Sequence, residues 1–223
     1  MSKNSADNVK THRPQFGTIL ADPPWQFMNR TGKMAPEHKR LHRYRTMKLE
    51  EICRMPVREI AAPQSHLYLW VPNALLAEGL QVMSAWGFTY KTNIVWYKVR
   101  KDGGPDGRGV GFYFRNVTEL ILFGTRGKLR TLPPGRREVN IAISRKEGHS
   151  RKPVQVYEII ERCSLGPFLE LFARTKRRGW TQWGDEVPTN GDLTKLQALP
   201  FIVQADEESG HSYSEQRVLT GIR

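Results

Sequence analysis

An α/β domain, a single sheet with helices on both faces, is the fold class this sequence predicts. Three observations carry that expectation. Short apolar runs rich in β-branched and aromatic residues recur from Phe16 to Gly184. Segments with helical spacing stand between several of them, the pattern of strands alternating with helices. The length of 223 residues suits one large domain, long enough to bury a core without a disulfide or a metal. No linker splits the strands into two sets, so the expected organisation is a loose tail over 1–13, one domain over 14–188 and a polar extension over 189–223.

Phe16–Ala21 is an apolar run that stops at Asp22-Pro23-Pro24-Trp25, so it reads as a buried strand delivering a stiff polar turn. Residues 28–46 are basic and lack an apolar period. Thr46 reads as the cap of a short helix through Leu49 and Ile52 that ends before Pro56. Residues 65–71 are a second strand. Asn73 then caps a helix over 74–86, with Leu76, Leu80 and Met83 at helical spacing and Gly87 as its stop. Residues 90–99 form a third strand, 101–111 a Gly-rich loop expected to be mobile, and 117–123 a fourth strand. Residues 124–137 form a basic loop with a Pro-Pro pair. Pro153 opens a helix through Tyr157, Ile160 and Cys163. Residues 168–173 and 179–184 read as the fifth and sixth strands.

Charge narrows the partner. Lys and Arg number 35 against 22 Asp and Glu, a formal net charge of +13, which points to a polyanion, nucleic acid before an anionic membrane. The excess is uneven. Residues 28–46 hold six cations against Glu37, 98–116 hold five against Asp102 and Asp106, 126–137 hold five with no acid, and 174–178 hold four. The rest of the chain is slightly acidic. Each segment follows a predicted strand, and loops past the carboxyl ends of strands form the ligand crevice of α/β sheets. The expectation is a basic rim that follows a phosphate backbone, drawn from Arg30, Lys33, Arg43, Tyr44, Arg45, Lys98, Lys101, Arg108 and Arg115. Phe112 and Phe114 read equally as base-stacking residues or as strand-entry core. The cysteines, Cys53 and Cys163, form no CxxC pair, and the six histidines form no HExxH, so no metal site is expected. No apolar run reaches the length of a membrane span, and residues 1–13 lack a signal-peptide core; a cytoplasmic protein without a membrane partner is expected.

The turn Asp22-Pro23-Pro24-Trp25 carries the chemistry. An exocyclic adenine amine is a poor nucleophile because its lone pair is delocalised into the ring. Acceptors that hold its hydrogens favour a pyramidal nitrogen. Asp22 can accept one hydrogen and the carbonyl between the prolines the other, while the prolines stiffen the turn. Trp25 offers a face on which a flipped-out base can stack. Attack on a sulfonium methyl needs no strong base, so positioning and electrostatics suffice. The plain alternative is a tight turn with a packing tryptophan.

The segment Ile19-Leu20-Ala21-Asp22-Pro23-Pro24-Trp25 resembles the signature of the MT-A family of S-adenosylmethionine-dependent N6-adenine methyltransferases. The resemblance continues through Leu67-Tyr68-Leu69-Trp70-Val71, Trp86-Gly87-Phe88, Ile94 to Lys98, Asn116 to Gly124, Ser150-Arg151-Lys152-Pro153, Glu170 to Arg174, Gly179-Trp180 and Trp183-Gly184. It spans about 16–187. It implies a Rossmann-like class I methyltransferase fold in permuted order, with the catalytic strand before the cofactor strand, which agrees with the lack of a GxGxxG after any strand. By resemblance, Asp22, Pro23, Pro24 and Trp25 are catalytic. Ala21, Asp22, Lys152, Phe172, Arg174, Asp185 and Glu186 contact S-adenosylmethionine, with Lys152 on its methionine carboxylate and Arg174 on its ribose. Phe172 lines the pocket and also packs. Glu170 supports the site. Lys176 and Arg177 stand where relatives often carry polar residues, and Gly184-Asp185-Glu186 replaces a common Gly-Asn-Gln.

The function these features imply is transfer of a methyl group from S-adenosylmethionine to adenine N6 in DNA, since the chain shows no appended RNA-binding or zinc motif. RNA is the alternative substrate. A non-catalytic nucleic-acid-binding subunit is the alternative of another class, and a homodimer is left open.

Overall fold

Alternate side chains of a strand point to opposite faces of its sheet. The central strands of this chain are apolar on both sets of positions, as a sheet covered on both sides requires. The computed structural model describes residues 15–26, 46–107, 113–145, 152–184 and 187. All lie in Met1–Asp192, the larger of two units of the chain. The expected tail 1–13 and extension 189–223 lie outside the described residues.

The elements are β1 (Phe16–Ala21), α1 (Leu49–Arg54), α2 (Val57–Ile60), β2 (Ala61–Val71), a 3-10 turn (Asn73–Leu75) leading into α3 (Leu76–Ala85), β3 (Thr89–Val99), β4 (Thr118–Arg126), a second 3-10 turn (Pro134–Arg137), β5 (Ile141–Arg145), α4 (Val154–Cys163), β6 (Phe168–Leu171) and β7 (Trp180–Trp183). Seven strands form one sheet in the order β5-β3-β4-β2-β1-β6-β7. β1 is parallel to β2 and β6, β6 to β7, and β3 to β5. β4 is antiparallel to both its neighbours. Six strands therefore end at one edge, and β4 begins there.

The two faces separate cleanly. Leu20, Tyr68, Trp96 and Ile121 pack with Val156, Ile159 and Ile160 of α4. Ile19, Leu67, Leu69 and Leu122, one residue out of phase, are fully buried on the other face. There α3 lies close to Val71 and Leu122, and Met83 fills the space over Gly124. Trp86 closes this layer: its Nε1–H donates to Ile52 O at 2.8 Å, tying the end of α3 to α1. Each fully buried side chain of this size stabilises by about 1.5–3 kcal/mol.

Three local expectations are corrected. Lys48, not Thr46, caps α1, because the Glu51 carboxylate three residues on accepts the Lys48 N–H at 2.7 Å. Asn73 caps no helix; its side-chain amide reaches across to Thr118, 3.0 Å to Oγ1 and 3.1 Å to the carbonyl, and a 3-10 turn precedes α3. β5 has no counterpart among the expected strands. It is a five-residue edge strand that buries Ala142 while Ile141 and Ile143 remain exposed, and its pairing with β3 supplies what its short pattern does not signal.

The largest correction concerns the basic rim. Residues 126–137 follow a strand, as expected, but β4 runs against the others. The loop therefore leaves the edge opposite the turn at Asp22, and of the four basic segments only those after β1, β3 and β6 follow strands that end on the side of that turn.

Candidate active site

Ala21 ends β1 and Leu171 ends β6, and the two are register partners in parallel pairing. Asp22 and Phe172 therefore leave the sheet side by side. From β1 the chain proceeds to β2 on one side, and from β6 to β7 on the other. The crevice between such diverging connections, past the carboxyl ends of the strands, is where open α/β sheets bind ligands.

The turn after β1 is held by its own backbone. Trp25 N–H donates to Pro23 O at 2.8 Å, a γ-turn about Pro24 that proline's fixed φ suits. Pro24 O accepts the Met47 N–H at 2.8 Å. The carbonyl between the prolines is thus shared with Trp25 and keeps one lone pair for another donor. The stacking face expected of Trp25 is not displayed. The side chain is buried, its Nε1–H donating inward to Trp70 O at 2.9 Å, so it braces the turn. Trp70 is itself clamped: its indole N–H donates to Glu119, which also pairs with the Lys98 ammonium.

Asp22 is a quarter exposed and meets Lys152, whose Nζ lies 3.2 Å from Asp22 Oδ2 and 3.3 Å from Glu170 Oε1. The Lys152 and Glu170 side chains are only 5% and 2% exposed, so this is a buried cluster of two carboxylates and one ammonium. Tyr157 O–H donates to Glu170 Oε1 at 2.8 Å, while Glu170 Oε2 is buried with no hydrogen-bond partner among the described residues. Burial by itself lowers the Lys152 ammonium, but the charges of Asp22 and Glu170 outweigh it and hold its pKa above the ordinary lysine value. Burial, followed by the Glu170 charge, pushes the Tyr157 phenol well above its ordinary value, so it stays a donor.

Phe172 carries φ +62°, the left-handed region that a bulky side chain rarely adopts. Two contacts hold it there. Its ring meets Trp183 edge to face at 5.4 Å between centroids. Gly184 lies against the same peptide, close enough that a Cβ on it would stand 2.3 Å from Ala173 O. Ala173 N–H in turn donates to Trp183 O at 2.9 Å. Strain of this kind held by its surroundings collects at ligand sites.

Of the residues singled out in the sequence, the fold brings together Ala21, Asp22, Lys152 and Phe172 at one crevice. Arg174 is half-buried on the link from β6 to β7. Among the candidates for the basic rim, Lys98 is largely buried, paired with Glu119 and set over the Trp96 ring at 4.8 Å, so its charge has an internal counter-ion. Lys101 is exposed on the turn after β3, and Arg115 is exposed with Nη1 donating to Gly107 O at 2.9 Å. Arg30, Lys33, Arg43, Tyr44, Arg45, Arg108, Asp185 and Glu186 lie outside the described residues. Sequence reasoning assigns no site role to Tyr157 or Glu119. The signal available is a lone carboxylate in each of two apolar strands, Glu119 before Leu120-Ile121 and Glu170 between Leu169 and Leu171; a buried carboxylate requires a partner.

Among the described residues no group of His, Cys, Asp and Glu could hold a metal ion, and no helix is long and apolar enough to cross a membrane. Residues 16–186 match the MT-A70 family. The chain is 32% identical to a type II methyltransferase, M.MunI, of Mycoplasma sp over 200 residues, 80% of each chain. It is 29% identical to the N6-methyladenosine RNA methyltransferase MTA1 of Cryphonectria parasitica, over 81% of this chain and 54% of that one. It is 28% identical to METTL14 of Drosophila melanogaster, a non-catalytic subunit of an N6-adenosine methyltransferase, over 87% of this chain and 52% of that one. The chain thus spans most of the Mycoplasma protein and about half of the other two.

Proposed function

Because the chain belongs to the MT-A70 family, we propose that it is an S-adenosylmethionine-dependent methyltransferase that modifies the N6 amine of adenine in DNA. The observation that carries this reading is the cluster of Asp22, Lys152 and Glu170 in the crevice between β1 and β6. The cluster fits the cofactor. Its two carboxylates and one ammonium leave a net negative charge, which suits a ligand bearing a sulfonium and an ammonium. Glu170 Oε2, buried without a partner among the described residues, is an acceptor suited to such a cation. Lys152 has three N–H donors; two are directed at Asp22 and Glu170, and the third is available to the methionine carboxylate. Phe172 and Arg174 would flank the nucleoside portion. S-adenosylmethionine, when bound, supplies an electrophilic methyl group.

The chain's own residues do the rest by positioning. The pair with Lys152 engages Asp22 Oδ2, which leaves Oδ1 to accept one hydrogen of the adenine amine. The remaining lone pair of Pro23 O accepts the other. Trp25, hung on Trp70, keeps that carbonyl in place. The developing positive charge on nitrogen meets the Asp22 carboxylate. DNA is preferred because the chain is 32% identical to the type II methyltransferase, against 29% to the RNA methyltransferase.

The test supplies cofactor carrying a labelled methyl group with unmethylated DNA and, separately, RNA, followed by digestion and identification of the modified nucleoside. Label in N6-methyldeoxyadenosine supports the proposal. Label in RNA alone makes the substrate RNA. Label in neither, with binding to both, leaves a non-catalytic subunit like the Drosophila relative.

A further inference from the structure

The loop after β4 stands apart from the crevice. The nine residues of Thr118–Arg126 carry the chain across the sheet, about 30 Å at 3.3 Å per residue. The loop they reach is pinned to the fold along its length. The Arg126 guanidinium donates to Arg58 O at 2.7 Å and Ala61 O at 3.0 Å. Leu129 O meets His66 Nε2 at 3.3 Å, and Leu132 N–H donates to Cys163 O at 2.9 Å. Gly135 packs its backbone on the end of α4, where a Cβ would stand 2.6 Å from Cys163 Cα.

This fixed loop displays Lys128, Arg130, Arg136 and Arg137 toward solvent. None of the four pairs with a carboxylate among the described residues. The neighbouring Glu138 is engaged by Arg162, at 2.6 and 3.1 Å. Four like charges on one loop repel one another, and the loop itself holds Arg136, whose Nε–H donates to Thr131 O at 3.1 Å. Among the described residues from Arg126 to Arg137 no large apolar side chain is exposed. A protein partner is anchored by aromatic and apolar side chains at the centre of its interface, whereas a phosphate backbone needs fixed cations alone.

We propose that Lys128, Arg130, Arg136 and Arg137 form a second surface for a nucleic-acid backbone, on the edge of the sheet opposite the crevice. This rests on the reading that the chain acts on nucleic acid. The two edges stand about 30 Å apart, so this surface takes a continuation of the substrate or a separate segment of nucleic acid.

The experiment measures binding of the full chain to a duplex of about 40 base pairs made only of G·C pairs, across a salt series. The probe contains no adenine, so binding is read apart from methyl transfer; failure to methylate DNA sinks the proposed function and leaves this test intact. Replacing all four cations by alanine is expected to reduce the slope of log K against log salt by about 3–4 and to weaken low-salt binding by more than about tenfold. An unchanged slope overturns the proposal. So does an unchanged slope with a shift from dimer to monomer in sedimentation, which would make the surface a protein contact. Should the fourfold variant melt early, Lys128→Ala and Arg137→Ala singly are each expected to lower the slope by about 0.9, and no change in either overturns it.

Discussion

Lys152 and Asp22 form an ion pair across the mouth of the crevice, Nζ to Oδ2 3.2 Å, although 130 residues of chain separate them. Lys152 is the buried member and Asp22 the partly exposed one. The two members differ in setting: Lys152 also meets the buried Glu170, and Asp22 is the most exposed of the three.

Replacing Asp22 by Asn keeps the shape of the turn and removes its charge. Methyl transfer is expected to fall by about 100- to 1000-fold in kcat, as when a preorganised electrostatic contact is lost. DNA affinity should stay within about twofold, because phosphate contacts dominate it. Steady-state kinetics beside a binding titration checks both, and retained activity removes Asp22 from the chemistry.

Glu170→Gln leaves Lys152 with one carboxylate instead of two inside the fold. Breaking a buried pair costs about 3–5 kcal/mol when no partner remains; with Asp22 still in place, a loss of about 1–3 kcal/mol is expected. Urea denaturation reads it, and combining the change with Tyr157→Phe should give less than the sum of the two single effects, since both touch the same carboxylate oxygen.

His66 predicts how stability responds to acid. It is fully buried, with Nδ1 2.7 Å from Ser164 Oγ and Nε2 directed at Leu129 O, and burial lowers its pKa below the ordinary 6.5. The unfolded chain therefore takes up a proton near pH 6.5 while the folded chain does not. Stability from neutral His66 is complete above that pH and declines as pH falls through 6.5 toward the folded value, by at most about 1.4 kcal/mol per pH unit. Melting curves between pH 5 and 8 should show this decline, and His66→Gln should flatten it.

Gly184→Ala places a methyl group against the Ala173 backbone, where no flexible side chain can yield. Overpacking of this kind costs about 1–3 kcal/mol. It also displaces the strained Phe172, so S-adenosylmethionine affinity measured by calorimetry is expected to weaken by more than about tenfold.

Some of the site is legible in the sequence because its cause is local. Asp22, two prolines and a tryptophan after an apolar run need only their neighbours to form a stiff turn at a strand end. Pro153 before α4 places Lys152 at a helix start for the same reason. The burial of Trp25 is not legible, because whether an aromatic face is displayed or buried depends on a distant acceptor, Trp70 O. Nor is β5, because a five-residue edge strand is stabilised by its neighbour rather than by its own pattern.

The sequence by itself determined the apolar runs, hence a sheet buried on both faces, the turn that carries Asp22, and a charge suited to a polyanion. These follow from period, ring geometry and composition, which act over a few residues. Only the tertiary structure decided that Lys152 bridges Asp22 and Glu170, and that residues 126–137 face away from them. Both outcomes follow from strand direction and register. A ladder of backbone hydrogen bonds closes equally well in either direction, and nothing within β4 states which way its neighbours run.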